Sequence, residues 1–216
     1  CQNALYLGLY FVAMQTVEAS FAAIIASTLP LLVGLASWLV FRERLPWLGV
    51  AGLVAGFAGV ALIMGTRLSA GVDVIGVTLC VIGVLALTLA TMLLRGASSG
   101  GNVMMIVGLQ MLVGAAALAP FALALETFEV RWSWTLLAAF AYTTLCPGLA
   151  ATWVWFLLVN RVGATRAATF HFLNPVFGVA IAAALLGESL GPADIAGVLV
   201  VTAGILAVQL SRQRPR

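Results

Sequence analysis

A bundle of α-helices that crosses a lipid bilayer several times is the fold this sequence predicts, on three grounds. First, 63% of its 216 residues are hydrophobic and 8% are charged, against roughly half and a quarter in soluble domains, which excludes a water-soluble globular domain. Second, the sparse charges leave uncharged stretches at 1–17, 19–41, 45–66, 74–94, 96–125, 132–160, 167–187 and 195–211, and a helix needs about 20 apolar residues to cross a core of about 30 Å. Third, Val198–Val208 and its like lack the apolar–polar alternation of a barrel strand. Backbone groups in lipid must be paired within a segment, which leaves helices.

Eight helices follow, in order. The first, 1–17, is short for a span. The second, 19–41, lies between Glu18 and the Arg42-Glu43-Arg44 cluster. The third, 45–66, opens beside Trp47 and aligns Gly49, Gly52, Gly56 and Gly59 on one stripe, as where two helix backbones approach closely. The partner of that stripe is either another helix of this chain or a second copy, so a homodimer is one of two readings. The fourth, 74–94, runs from Asp73 to Arg95, and the fifth, 96–125, carries Gln110 between Gly108 and Gly114. Trp132 and Trp134 open the sixth, 132–160, where amphipathic rings prefer the membrane interface. The seventh, 167–187, holds His171, Asn174 and Pro175; the eighth, 195–211, is borderline in length and leads into a basic tail, 211–216. Cys1, Cys80 and Cys146 fall inside apolar stretches and read as small buried side chains.

If the helices alternate in direction, Arg42, Arg44, Arg95, Arg161, Arg166, Arg212, Arg214 and Arg216 share one side with Glu43. The other side holds Glu18, Asp73, Glu126, Glu129, Glu188 and Asp194 with Arg67 and Arg131. Arginine accumulates on the cytoplasmic side of membrane proteins, so the C-terminus is expected in the cytoplasm. This asymmetry accounts for the basic pI. A nucleic-acid partner is not expected, because no basic cluster is interleaved with aromatics.

The chain also repeats itself. Ala19-Ser-Phe-Ala-Ala and Pro30 recur as Ala164-Thr-Arg-Ala-Ala and Pro175, and the same offset of 145 pairs Glu43 with Glu188, Gly52 with Gly197 and Gly59 with Gly204. One period holds five helices, and an odd number of crossings makes successive units enter from opposite sides. The repeats are therefore inverted, as in carriers whose halves rock around a midplane site. Residues 73–210 form a complete unit and 1–66 the last three helices of another. Cys1 aligns with Cys146, mid-helix, so two helices and part of a third are expected upstream, ten in all against eight here.

Phe-Arg-Glu-Arg-Leu-Pro-Trp-Leu-Gly at 41–49 and Gly-Phe-Ala-Gly-Val at 56–60, with Phe-Leu-Asn-Pro-Val at 172–176 and Leu-Leu-Gly-Glu-Ser-Leu at 185–190, resemble the EamA repeat of the drug/metabolite transporter superfamily. The resemblance implies ten helices in two inverted five-helix repeats. It further implies export or exchange of small metabolites, such as amino acids or drug-like compounds, across the bacterial inner membrane.

Polar groups inside a membrane are costly and tend to face a cavity or a partner helix. His171 and Asn174, three residues apart, share a helical face with Ala167 and Gly178, and their repeat counterparts Ala26 and Leu29 are apolar. The fold therefore does not demand their polarity, and both are candidate substrate ligands. Pro175 frees backbone groups beside them by lacking an amide hydrogen. Trp153, Tyr10 and Gln110 are further candidates; Tyr10 shares a face with Tyr6 and matches Trp155 in the repeat. Ser27 is expected to return its hydroxyl to the carbonyl four residues back. Pro30, Pro175, Glu43, Glu188, Gly52 and Gly197 read as structural, the two glutamates as acceptors for free amides at helix starts. One histidine and no mid-membrane carboxylate cannot assemble a catalytic set, so no enzyme, metal or cofactor is expected. The rival to a carrier is an accessory membrane subunit without transport of its own.

Overall fold

The computed structural model describes residues 2–40, 42, 45–69, 71–94, 103–125, 130, 132–151, 154, 157–158, 161 and 170–213. The described residues are helices and their connections. A π-helical turn, Gln2–Tyr6, leads into α1 (Leu7–Ala13), followed by α2 (Ala19–Ala26), α3 (Leu29–Val40), α4 (Trp47–Ser69), α5 (Val74–Leu94) and α6 (Val103–Leu125). Next, α7 (Trp134–Thr143) runs into a second π-helical segment, Thr144–Ala150; a 3-10 turn, Phe170–Leu173, then opens α8 (Asn174–Leu186), and α9 is Pro192–Gln213. The two π-helical segments overlap under the offset of the sequence repeat. Among the described residues, four stretches are long and apolar enough to cross a membrane: Ala19–Val40, Trp47–Thr66, Val74–Leu93 and Pro192–Ser211. Their outward residues, such as Val54, Leu62, Leu89 and Leu199, are exposed and apolar, as a lipid-facing surface requires.

The span 19–41, which the charge spacing treats as one helix, is broken. Residues Ser27 and Thr28 form a turn in which their hydroxyls donate to the carbonyls of Ile24 and Ile25, both at 2.7 Å. Ser27 thus bonds three residues back, not four. Pro30 has no hydrogen for the Ala26 carbonyl, which in a continuous helix would accept from that position. Its repeat mate Pro175 occupies the first turn of α8, a position proline tolerates because the amide there is unpaired anyway. The 3-10 turn ends where α8 begins, so His171 and Asn174 belong to consecutive elements and not to the single helical face expected from their spacing. Gly187, at φ +68°, ends α8 in the left-handed conformation that glycine adopts without strain.

The most extensive contact in the fold joins α4 to α9. A Cβ added at Gly52 would meet the carbonyl oxygen of Gly204 at 2.7 Å, and one at Gly59 would meet that of Gly197 at 3.0 Å. These two contacts exchange under the sequence repeat, since Gly52 corresponds to Gly197 and Gly59 to Gly204. The helices therefore cross antiparallel about a local half-turn. This answers the question left open by the stripe: Gly52 and Gly59 serve a contact inside the chain, and Gly56 admits Leu31 of α3. Leu31, Leu53, Val60, Val201, Ile205 and Val208 fill the seam around them. A second apolar cluster joins α1, α2, α5 and α8 around Phe21, Ile24, Cys80 and Val84. Cys80 is buried as expected, whereas Cys146 is exposed.

Polar contacts tie the helix ends into two faces. On one, Asp73 accepts from the amides of Ile75 and Gly76 at the start of α5, at 3.0 and 3.1 Å, and from the Thr16 hydroxyl at 2.7 Å. These three donors hold the Asp73 carboxyl below its ordinary value, the Thr16 bond contributing most. On the same face, the amide of Gly191 donates to the Asp194 carboxylate at 2.9 Å, closing the start of α9. The opposite face carries the start of α4 beside the end of α9, where Gly49 abuts the Ser211 hydroxyl.

Candidate functional site

A cavity of about 390 Å³ opens between α1, α2, α3, α5 and α8, within the usual range for small-molecule sites. It exists because α2 presents only small residues to it: Ala19, Ala22, Ala23 and Ala26 line one wall, at the i, i+3, i+4, i+7 spacing that puts them on one helical face. The broken α2–α3 junction adds Ser27, Leu29 and Pro30, and Tyr6, Tyr10, Met14, Leu87 and Asn174 complete the lining. None of these side chains is charged.

Two candidates from the sequence, Tyr10 and Asn174, are thus brought together although 164 residues apart in the chain. Tyr10 is held against α5, where a Cβ at Gly83 would lie 2.9 Å from its ring; only glycine leaves that room. Its ring centroid lies 4.6 Å from that of Tyr6, the planes tilted by 51°, a tilted arrangement that aromatic quadrupoles favour. The Tyr10 hydroxyl is buried and has no hydrogen-bond partner among the described residues. A buried, unpaired hydroxyl costs about 1–3 kcal/mol, so it is a donor that a ligand or water could satisfy. Asn174, exposed in the cavity wall, supplies both donor and acceptor. The Ser27 hydroxyl is already committed to Ile24, which leaves its role structural.

His171 lies in the 3-10 turn that precedes Asn174. Trp153 and Glu43 lie outside the described residues. Gln110 sits half-buried on α6, apart from the residues that line the cavity. Tyr6 and the four alanines are lining residues that the search for polar groups passes over. Their signal was present as the small-residue spacing of α2 and as the Tyr6–Tyr10 spacing.

Glu188 acts across the fold. Its two carboxylate oxygens accept from the amides of Ala19 and Ser20 at 2.8 and 2.9 Å, the first turn of α2. A carboxylate is favoured at this end of a helix by the free amides and the helix dipole. The helix start it serves is that of α2, 168 residues away in the chain, not that of the neighbouring α9.

A family model described as the EamA-like transporter family matches residues 2–65 and 74–210. Among curated proteins, the chain is 28% identical over 206 residues to the uncharacterized transporter YvbV of Bacillus subtilis, covering 94% of this chain and 67% of that one. It is 22% identical to protein PecM of Dickeya dadantii, with 96% and 71% covered. An uncharacterized transporter from the sor 3′ region of Acidianus ambivalens is 26% identical, with 91% and 76% covered. The chain thus spans about two thirds to three quarters of the length of these relatives. A multi-pass membrane bundle, a cavity at a broken helix and a family match over nearly all of the sequence coincide: the chain belongs to the EamA-like transporter family.

Proposed function

We propose that this membrane transporter exports or exchanges a small neutral or zwitterionic metabolite across the bacterial inner membrane, by alternating access of two inverted units, 1–66 and 73–210. The observation that carries the reading is the cavity: it lies where α2 breaks into α3, and one wall bears a buried hydroxyl without a partner among the described residues. Discontinuous helices at membrane depth are where carriers place their substrates. Tyr10 and Asn174 are the polar contacts of the site, and the Tyr6–Tyr10 pair and Met14 supply apolar surface; His171 and Trp153 stay substrate candidates on the sequence argument alone. A strongly cationic substrate would find no counter-charge among the lining residues, and burial of an unpaired charge is costly. The arginine-rich face and the tail 211–216 lie in the cytoplasm on this reading. The two ranges of the family match and the exchanging glycine contacts support the division into two units. The reading assigns the chain carriage rather than chemical conversion.

The test is counterflow of labelled amino acids and cationic drugs in proteoliposomes that contain the full-length protein. His171→Ala and Asn174→Leu, which install the residues of the other repeat, are expected to keep the fold and weaken saturable flux. Silence of the folded wild-type protein across a broad panel would favour an accessory subunit.

A further inference from the structure

The cavity is bounded at one end by Ala19, and Ala19 is the residue whose amide Glu188 holds. That coincidence joins the carboxylate to access. Glu188 follows α8, whose Gly178 is so close to α2 that an added Cβ would lie 2.8 Å from the Ala23 side chain. The helices α2 and α8 thus meet along one wall of the cavity, and Glu188 clamps their ends together on the face that carries Glu18 and Asp73. The two helices come from different units of the repeat, so their separation is the kind of movement that opens a path between units. No side-chain cap is contributed by Glu18, the residue that immediately precedes α2. An ordinary local cap is therefore replaced by one reaching over 168 residues. A local cap would satisfy the same amides and travel with the helix; a distant one joins two bodies.

We propose that Glu188 is the latch of this end of the carrier: its carboxylate holds α2 against α8 while the cavity is shut off from the Glu18 face, and releases the Ala19 and Ser20 amides when the cavity opens to it. The inference rests on the carrier reading for its role in transport, but the latch itself is read without flux. The measurement is the rate at which a cysteine replacing Ala23, on a background without Cys1, Cys80 and Cys146, reacts with a membrane-impermeant maleimide added from the Glu18 face. Glu188→Ala is expected to raise that rate about tenfold, the population shift that corresponds to about 1.4 kcal/mol, near the low end for a hydrogen bond to a charged group. Glu188→Gln, which keeps one acceptor, is expected to fall between. An unchanged rate in both, with intact folds, would overturn the latch and leave Glu188 as a static cap.

A second arm keeps Glu188 in place and so avoids any loss of folding. Cysteines replacing Glu18 and Ser189, both exposed, are bridged by a short cleavable thiol reagent. Bridging is expected to hold the Ala23 cysteine at its slow rate and to arrest flux, with cleavage restoring both. Flux that continues in the bridged protein overturns the latch. Absence of flux in the wild-type protein, while labelling of the Ala23→Cys protein still responds to Glu188 and to the bridge, overturns the carrier reading instead.

Discussion

Replacing Gly204 by alanine probes the α4–α9 seam with the smallest available perturbation. The new methyl would lie 2.6 Å from the amide nitrogen and 2.7 Å from the Cα of Gly56, and 2.7 Å from the Gly52 carbonyl oxygen. These distances are roughly 1 Å inside ordinary contact, which lies near 3.5 Å. All three atoms are backbone, so no side chain can swing away, and the helices must separate by about the deficit. A gap of about 0.5–1 Å forfeits a quarter to a half of each dispersion contact along the seam. Leu53, Val60, Val201 and Ile205 are the side chains that lose it. Overpacking in such places costs about 1–3 kcal/mol, and the backbone character of this contact puts the expected loss near about 3 kcal/mol. Gly65→Ala, on the same α4 but with nothing within 4 Å of the new methyl, is the control and is expected to be neutral or slightly stabilising. Reversible unfolding in detergent micelles, followed by tryptophan fluorescence, measures both. Equal stability of Gly204→Ala and Gly65→Ala would refute the packing argument and, with it, the placement of α9 on α4.

Three further expectations concern individual side chains. Tyr10→Phe removes a buried hydroxyl that has no partner among the described residues, so the unfolding free energy should stay level or rise by about 1 kcal/mol; the apparent KM for flux should rise, and a KM equal to that of the wild type would take the hydroxyl out of the site. The lowered pKa of Asp73 means that its stabilising contribution is complete above the ordinary carboxylate value of 3.8 and disappears as pH falls through the lowered one. Acid titration of stability should therefore show a smaller loss in Asp73→Asn than in wild type, and parallel curves would contradict the bonding to Thr16. Gly83→Ala should displace the Tyr10 ring, which a new Cβ would approach to 2.9 Å, and so lower substrate affinity more than Gly65→Ala, as binding titrations would read.

Much of the fold is legible in the sequence because charge is expensive in a bilayer: the few charged residues mark where helices stop. The inverted pairing of α4 with α9 was also within reach, because Gly52, Gly59, Gly197 and Gly204 recur at one offset, and only glycine allows backbones to touch. The break at Ser27 and Thr28 was harder to read. Pro30 signals a weakened helix, but the position of the turn depends on which hydroxyls bend back onto which carbonyls, and serine and threonine do so in unbroken helices too, as Thr88 and Thr202 do here. At the site, polarity singled out Tyr10 and Asn174, whose meeting depends on how α1 and α8 pack. The cavity is made by the absence of side chain on α2, and a run of alanines reads equally well as close packing. Gln110 shows the converse: a polar residue in an apolar stretch satisfies the cost argument without being among the residues that line this cavity. The reach of Glu188 to α2 is a tertiary fact, for nothing near residue 188 says which helix start its carboxylate will find.

The seam of glycines also limits how this molecule can move. Where side chains separate two helices, rotamer changes let one slide along the other by a fraction of a turn. Between Gly52 and Gly204, and again between Gly59 and Gly197, there is no such slack, and a slide in either direction would drive one backbone into the other. The pair can pivot about its crossing point and little else. The α4–α9 seam therefore resists sliding, and it lies apart from the residues of α1, α2, α3, α5 and α8 that line the cavity.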